Sequence, residues 1–139
     1  MTRQEIIAFM NQNPASFLAT VANGTPHVRG IGIYRADESG ILFHTGAFKN
    51  LYRELTANPE VEFCFYNPKE FTQVRVSGVC EEVRDDALKQ EILGVRVFLK
   101  DWVEKNGLDQ FILYRMKPSK ATVWTMATNF QPNEYIPMD

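Results

Sequence analysis

Cysteine and histidine are scarce in this chain, with Cys64, Cys80, His27 and His44 the only examples in 139 residues. The two cysteines lie in separate apolar, alternating stretches and form no Cys-x-x-Cys pair or Cys/His cluster. That removes the usual zinc spacings and favours reduced, buried thiols over a bridge. The two histidines stand at no metal-ligand spacing, so each reads first as a polar strand residue. No apolar run reaches membrane-spanning length, and the opening Met1 to Met10 is too short an apolar stretch for a secretory leader, so a cytoplasmic protein without a membrane partner is expected. A basic block is also missing: Lys and Arg total 15 against 17 Asp and Glu, for a net charge of -2. Nucleic acid is therefore not an expected partner, because binding to a phosphate backbone needs a concentrated cationic face. There is no nucleophile elbow, P-loop or paired-carboxylate constellation, and no catalytic residue is assigned. Without repeats or a low-complexity linker, residues 1–139 read as one domain, with a helix over 1–14 and a tail over 127–139.

What is present reads mainly as strands. Thr2 and Glu5 have capping-box spacing, and Ile6, Ile7, Phe9 and Met10 follow at helical intervals, so a short helix opens the chain and stops at Asn13-Pro14. Residues 17–21 and 26–34 flank Asn23-Gly24, a hairpin signal, and a second turn at 37–40 leads into a strand over 41–45. The simplest outcome is a three-stranded meander. A helix over 48–57 ends at Asn58-Pro59, and strands over 61–66 and 71–83 follow. Asp85 and Asp86 cap a helical stretch that Gly94 divides. Strands over 111–116 and 121–126, joined by a turn at 117–120, close the fold, and the tail is coil unless it docks on a partner chain. The sum is a mostly β chain with helices, an antiparallel and nearly closed barrel of six or seven strands, with a helix-rich α+β sandwich as the rival.

Several segments carry candidate chemistry. In His27-Val28-Arg29-Gly30-Ile31-Gly32, the glycines share one strand face, where they either relieve crowding at a bend or let a flat ring approach the backbone. Arg29 suits a phosphate, although strict alternation turns it to the opposite face. His44-Thr45-Gly46-Ala47-Phe48-Lys49-Asn50 runs from a strand end into a helix start. It is either an ordinary turn with exposed Lys49 or a place where amides, Thr45 and Lys49 converge on an anion, with Arg53 one turn on. Gln73, Arg75 and Ser77 alternate with Val74 and Val76, so they face away from the core toward water, a subunit interface or the edge of a heterocycle. Trp124 reads first as a core aromatic.

In this order, the segments resemble the flavin split barrels of the pyridoxamine 5'-phosphate oxidase-like family over roughly residues 15–126. Residues 17–29, with Asn23-Gly24-Thr25-Pro26-His27-Val28-Arg29, resemble its opening hairpin; 42–51 resemble its phosphate-binding turn and helix; Asn58-Pro59-Glu60-Val61 resembles the next strand start. Residues 73–82 resemble the strand facing a second subunit, and 114–124 a closing hairpin. The resemblance implies a homodimer with FMN at the subunit interface. The phosphate would meet Arg29, Thr45 and Lys49, with Gly46 in the turn and Asn50 supporting it. The isoalloxazine would lie against Gly30, Ile31 and Gly32. Gln73, Arg75 and Trp124 would reach the flavin from the other chain or line the substrate opening. True pyridoxamine phosphate oxidases carry a carboxyl-terminal Arg-x-His motif, whereas this tail reads Asn129-Phe130-Gln131-Pro132-Asn133-Glu134. The implied activity is transfer of electrons or hydride through FMN to a small acceptor, in the manner of the general stress or nitroimidazole-resistance branch. The alternative is a non-enzymatic flavin- or haem-binding module, with His27 or His44 as axial ligand, and deazaflavin use stays open.

Overall fold

The computed structural model describes residues 1–139. Helix α1 spans Arg3–Gln12 behind a reciprocal Thr2/Glu5 capping box and buries Ile6, Phe9 and Met10. Strand β1, Ala15–Ala22, alternates strictly, burying Ser16, Leu18 and Thr20 while Phe17, Ala19 and Val21 face outward. Asn23 and Gly24 both take positive φ, 52° and 75°, the geometry of a tight hairpin turn, and β2 returns as Thr25–Gly32.

Beyond β2 the expected meander does not form. Tyr34 leaves the hairpin and its amide bonds Leu42 O at 2.8 Å. A short strand β3, Arg35–Asp37, then pairs with β4, Gly40–Gly46, and β4 pairs on its other side with a strand from the end of the chain. The physical reason lies in β4 itself. Ile41 and Phe43 enter the barrel interior while Leu42 enters a second apolar cluster outside it, so a strand covered on both faces belongs inside the sheet rather than on a hairpin edge. Helix α2, Asn50–Ala57, leads to β5, Glu60–Asn67, and β6, Thr72–Glu82. On β6 Val74 and Val76 are fully buried and Gln73, Arg75 and Ser77 are half-exposed, as the alternation requires.

The closing hairpin is likewise absent. Residues 111–125 form one strand, β7, Phe111–Thr125, whose first part pairs with β4 and whose length pairs with β6. The register slips between Ser77 and Gly78, so Ser77 faces Lys120 while Gly78 faces Pro118. The polar stretch 117–120 is thus a bulge that bends a long strand around the barrel. Gly78 permits the close approach, since a Cβ there would sit 2.2 Å from Lys117 O. The tail is not coil: β8, Tyr135–Pro137, adds to β7, and Met138 is buried. Gly94 stays inside α3, Asp86–Val95, and the break falls at Arg96, before a 3₁₀ turn at Val97–Leu99 and α4 at Lys100–Asn106.

The eight strands form one antiparallel sheet in the order β2-β1-β5-β6-β7-β4-β3, with β8 on β7. Leu18, Phe43, Phe63, Phe65, Val74, Val76 and Met116 fill the barrel beneath α1. Leu42, Phe111 and Leu113 pack outside it on Ile92, Leu93 and Val103 of α3 and α4. β2 and β4 share no ladder, so the barrel is split between them. No helix is long and apolar enough to cross a membrane. Both cysteines are free, and burial pushes the Cys80 thiol up to about 12.

Candidate functional site

The split opens a cleft between β2 and the turn from β4 into α2. Two adjoining cavities occupy it, one of about 680 Å³ and one of about 430 Å³, both bounded by Gly30, Ile31, His44, Thr45 and Lys49. Each falls within the roughly 300–1,000 Å³ usual for small-molecule sites. The larger cavity adds Arg29, Asn50 and Glu54; the smaller adds Gly32, Gly46, Arg96 and an apolar wall that includes Leu99, Trp102 and Phe111.

Gly30 and Gly32 occupy β2 with no requirement visible inside the chain. Neither has positive φ, a Cβ on Gly30 would touch only Ser16 O at 4.0 Å, and one on Gly32 would meet nothing within 4 Å. Relief of crowding is therefore not their purpose. Glycine within a strand costs roughly 0.5–1 kcal/mol relative to alanine, and here the return is an open, flat stretch of backbone. Opposite it, the Phe48 ring folds over Gly46, so that a Cβ there would sit 2.5 Å from Cε1, and it meets Trp102 at a centroid distance of 5.5 Å.

The cationic end is built differently from the sequence expectation. Arg29 turns to the face opposite the glycines, donates to Leu18 O at 3.2 Å and Thr20 Oγ1 at 3.0 Å, and forms an ion pair with Glu54. Thr20 in turn donates to Glu54 Oε1 at 2.5 Å. Burial works to raise the Glu54 carboxyl, but the bonds from Thr20 and Arg29 outweigh it and hold it below its ordinary value. The Arg29 charge is thus balanced in place, and Lys49, which enters no ion pair, supplies the net positive charge. Lys49 is also the N-cap of α2 and makes no side-chain cap bond, which leaves the positive end of the helix dipole facing the larger cavity. Asn50 Oδ1 accepts from Arg53 at 2.5 Å, tying the first turn together.

Eight of the expected site residues therefore meet at one cleft: Arg29, Gly30, Ile31, Gly32, Thr45, Gly46, Lys49 and Asn50. The other three do not. Gln73 and Arg75 stand on the outer face of β6, where Gln73 is level with Trp124 and Arg75 pairs with Glu62 at 3.4 Å. Trp124 is no core residue; it is half-buried, and its indole donates to Asn129 Oδ1 at 2.8 Å. Sequence reasoning did not include His44 or Arg96 in the set. His44 had a signal, since it precedes Thr45 at the strand end; Arg96 had none, because only the fold brings α3 across the split.

Comparison with known proteins agrees with this architecture. A family model described as pyridoxamine 5'-phosphate oxidase matches residues 2–125. The pyridoxine/pyridoxamine 5'-phosphate oxidase of Pseudomonas paraeruginosa is 40% identical over 70 residues, 50% of this chain and 33% of that protein. The chain thus spans about a third of the length of this curated relative. Among solved structures, a NimC/NimA family protein from Clostridium acetobutylicum superposes with a TM-score of 0.76 at 20% identity, covering 96% of this chain and 90% of the other. The haem-storage protein of Vibrio cholerae gives 0.67 at 20% identity, with 90% and 95% covered. A split sheet, a cleft at the split and a family match over nearly the whole chain converge on one statement: the chain belongs to the pyridoxamine 5'-phosphate oxidase family.

Proposed function

We propose that this protein is an FMN-dependent oxidoreductase that passes electrons or hydride to a small acceptor. The observation that carries the reading is the pair of glycines on β2, which leave a flat backbone surface open where nothing in the chain needs the space. The rest of the cleft suits the group. Lys49 and the start of α2 offer an ammonium and helix-end amides to a phosphate. Phe48, Leu99, Trp102 and Phe111 give a ring an apolar wall and keep water from it. FMN, when bound, supplies the redox chemistry, and the protein binds, orients and shields it. No side chain is assigned as proton donor.

The second subunit of the proposed homodimer accounts for the residues left outside. Gln73 and Arg75 share the outer sheet face with Phe17 and Val28, which are 55% and 69% exposed. Covering that apolar surface with a second copy would bring polar side chains toward a neighbouring cleft. A flavin-bearing species of 16.0 kDa by light scattering would refute this arrangement.

Vitamin B6 oxidation is not part of the proposal, since the curated relative named for it is matched over only a third of its length. Haem binding is the second reading, favoured by the likeness to the Vibrio cholerae haem-storage protein. On this chain His27 is the better ligand candidate, because Arg96 occupies His44 Nε2 while His27 is exposed on β2. An absorption spectrum of the purified protein, before and after adding FMN or haem, separates the two. Absence of flavin bands together with no uptake of added FMN overturns the first reading, and a Soret band supports the second.

A further inference from the structure

Arg96, at the break after α3, reaches across the apex of the split. Its Nη1 lies 2.7 Å from His44 Nε2 and 3.3 Å from Gly32 O, and its Nη2 donates to Ile33 O at 2.8 Å. One guanidinium therefore ties the glycine end of β2 to β4, which share no ladder. A guanidinium has donors only and stays protonated, so His44 Nε2 has to accept. The ring is then neutral, with its proton on Nδ1. Nδ1 has no partner in the chain, yet it is not among the closed-off unpaired atoms, which are Arg3 Nε and Arg115 Nε. It is therefore not sealed off, and His44 lines both cavities of the cleft. The groups facing His44 reinforce neutrality: burial, then Arg96 from the end of α3, then Lys49 from the β4–α2 turn, hold it down to about 4, while the Phe111 ring of β7 packs 5.0 Å away.

We propose that Arg96 is a positioning residue that locks His44 as its Nδ1-protonated tautomer, and that His44 thereby donates a neutral hydrogen bond to an acceptor on the flavin ring in the cleft. The donor half rests on the FMN reading; the tautomer half does not. A flavin ring carries carbonyl oxygens and ring nitrogens able to accept such a bond. A neutral donor can serve either redox state without adding a charge to the cleft.

Long-range proton–nitrogen correlation spectra of the flavin-free wild type test the first half. The expected result is Nδ1–H through pH 5 to 8; an Nε2–H ring or an imidazolium in that range overturns it. In Arg96→Met, His44 should populate the Nε2–H tautomer and titrate nearer the ordinary value of about 6.5. An unchanged tautomer there removes Arg96 as the cause. Arg96→Gln, whose side-chain amide can accept as well as donate and so no longer obliges Nε2 to accept, serves the same comparison if the methionine variant does not fold. Added FMN, with its binding followed by its own absorbance, should move the Nδ1–H resonance, and His44→Ala should weaken FMN about tenfold. Bound FMN with an unmoved Nδ1–H overturns the donor role alone. Failure of FMN to bind takes the donor role down with the flavin reading, while the flavin-free spectra still decide the tautomer.

Discussion

Replacing Gly32 by alanine should make the protein more stable and a worse flavin binder at the same time. The added Cβ meets nothing within 4 Å, and Gly32 does not have positive φ, so the native backbone accepts a side chain without strain. Alanine also narrows the conformational freedom of the unfolded chain, which is worth about 0.5–1 kcal/mol at a compatible position. For a domain of this size that corresponds to a rise of roughly 2–3 °C in Tm without flavin. Gly32 also lines the smaller cavity, on the stretch of backbone against which the isoalloxazine is proposed to lie, so the methyl group thickens that wall. Losing that approach should weaken FMN at least tenfold, about 1.4 kcal/mol. Thermal unfolding followed by circular dichroism gives the first quantity, and quenching of FMN fluorescence on titration gives the second. A variant that binds FMN like the wild type would refute the glycine argument. So would a fall in flavin-free Tm, which would show that the glycine meets a need within the chain after all.

The other predictions concern the charged groups and the bulge. Lys49→Ala removes the unpaired cation of the larger cavity and should weaken FMN by about 1.5–3 kcal/mol; an unchanged affinity in equilibrium dialysis places the phosphate elsewhere. Glu54→Gln frees Arg29 from its counter-charge, so FMN should bind several-fold more tightly while denaturant unfolding shows a loss of about 1–3 kcal/mol; weaker binding would mean that Glu54 organises the pocket instead of opposing the anion. His44 has its folded value depressed to about 4, so the unfolded chain takes up the proton first and stability falls as pH drops from about 6.5 toward 4. After allowance for partial solvent screening the loss is on the order of 2 kcal/mol, and a His44→Gln variant with the same pH slope would show that other groups cause it. Gly78→Ala forces a methyl against Lys117 O and should cost about 1–3 kcal/mol in chemical denaturation; a neutral result would mean the bulge can move.

Local chemistry was legible in the sequence wherever one short segment decided the outcome. The Thr2/Glu5 box, the Asn23-Gly24 turn and the alternation of Val74 and Val76 each act within a few residues, and each has its expected form. Topology was not legible in the same way. Arg35–Asp37 is too short to announce itself, and the polar residues 117–120 carry turn chemistry whether they end a hairpin or form a bulge. Only Gly78 on the opposite strand distinguishes the two, because its missing Cβ lets the bulge close, and that is a contact between distant segments. Arg96 belongs with these: no local pattern marks a residue whose partners are Gly32, Ile33 and His44.

The same division explains why the cleft is half written in the sequence. Its two edges are local, a glycine-bearing strand and a strand-to-helix turn, and their composition shows in one reading. Their separation is not local, since it follows from β4 leaving the hairpin to pair with β7, which withholds from β2 the partner a meander would have supplied. The backbone edge of β2 that faces the split consequently has no ladder, and Arg96 covers its far end by bonding Gly32 O and Ile33 O. Gly30 lines both cavities of the open cleft, and Gly32 lines the smaller one beside Arg96. On this reading the cleft is the opening left by an unsatisfied sheet edge, and Gly30 and Gly32 contribute no side chains to its wall where a flavin ring is proposed to rest.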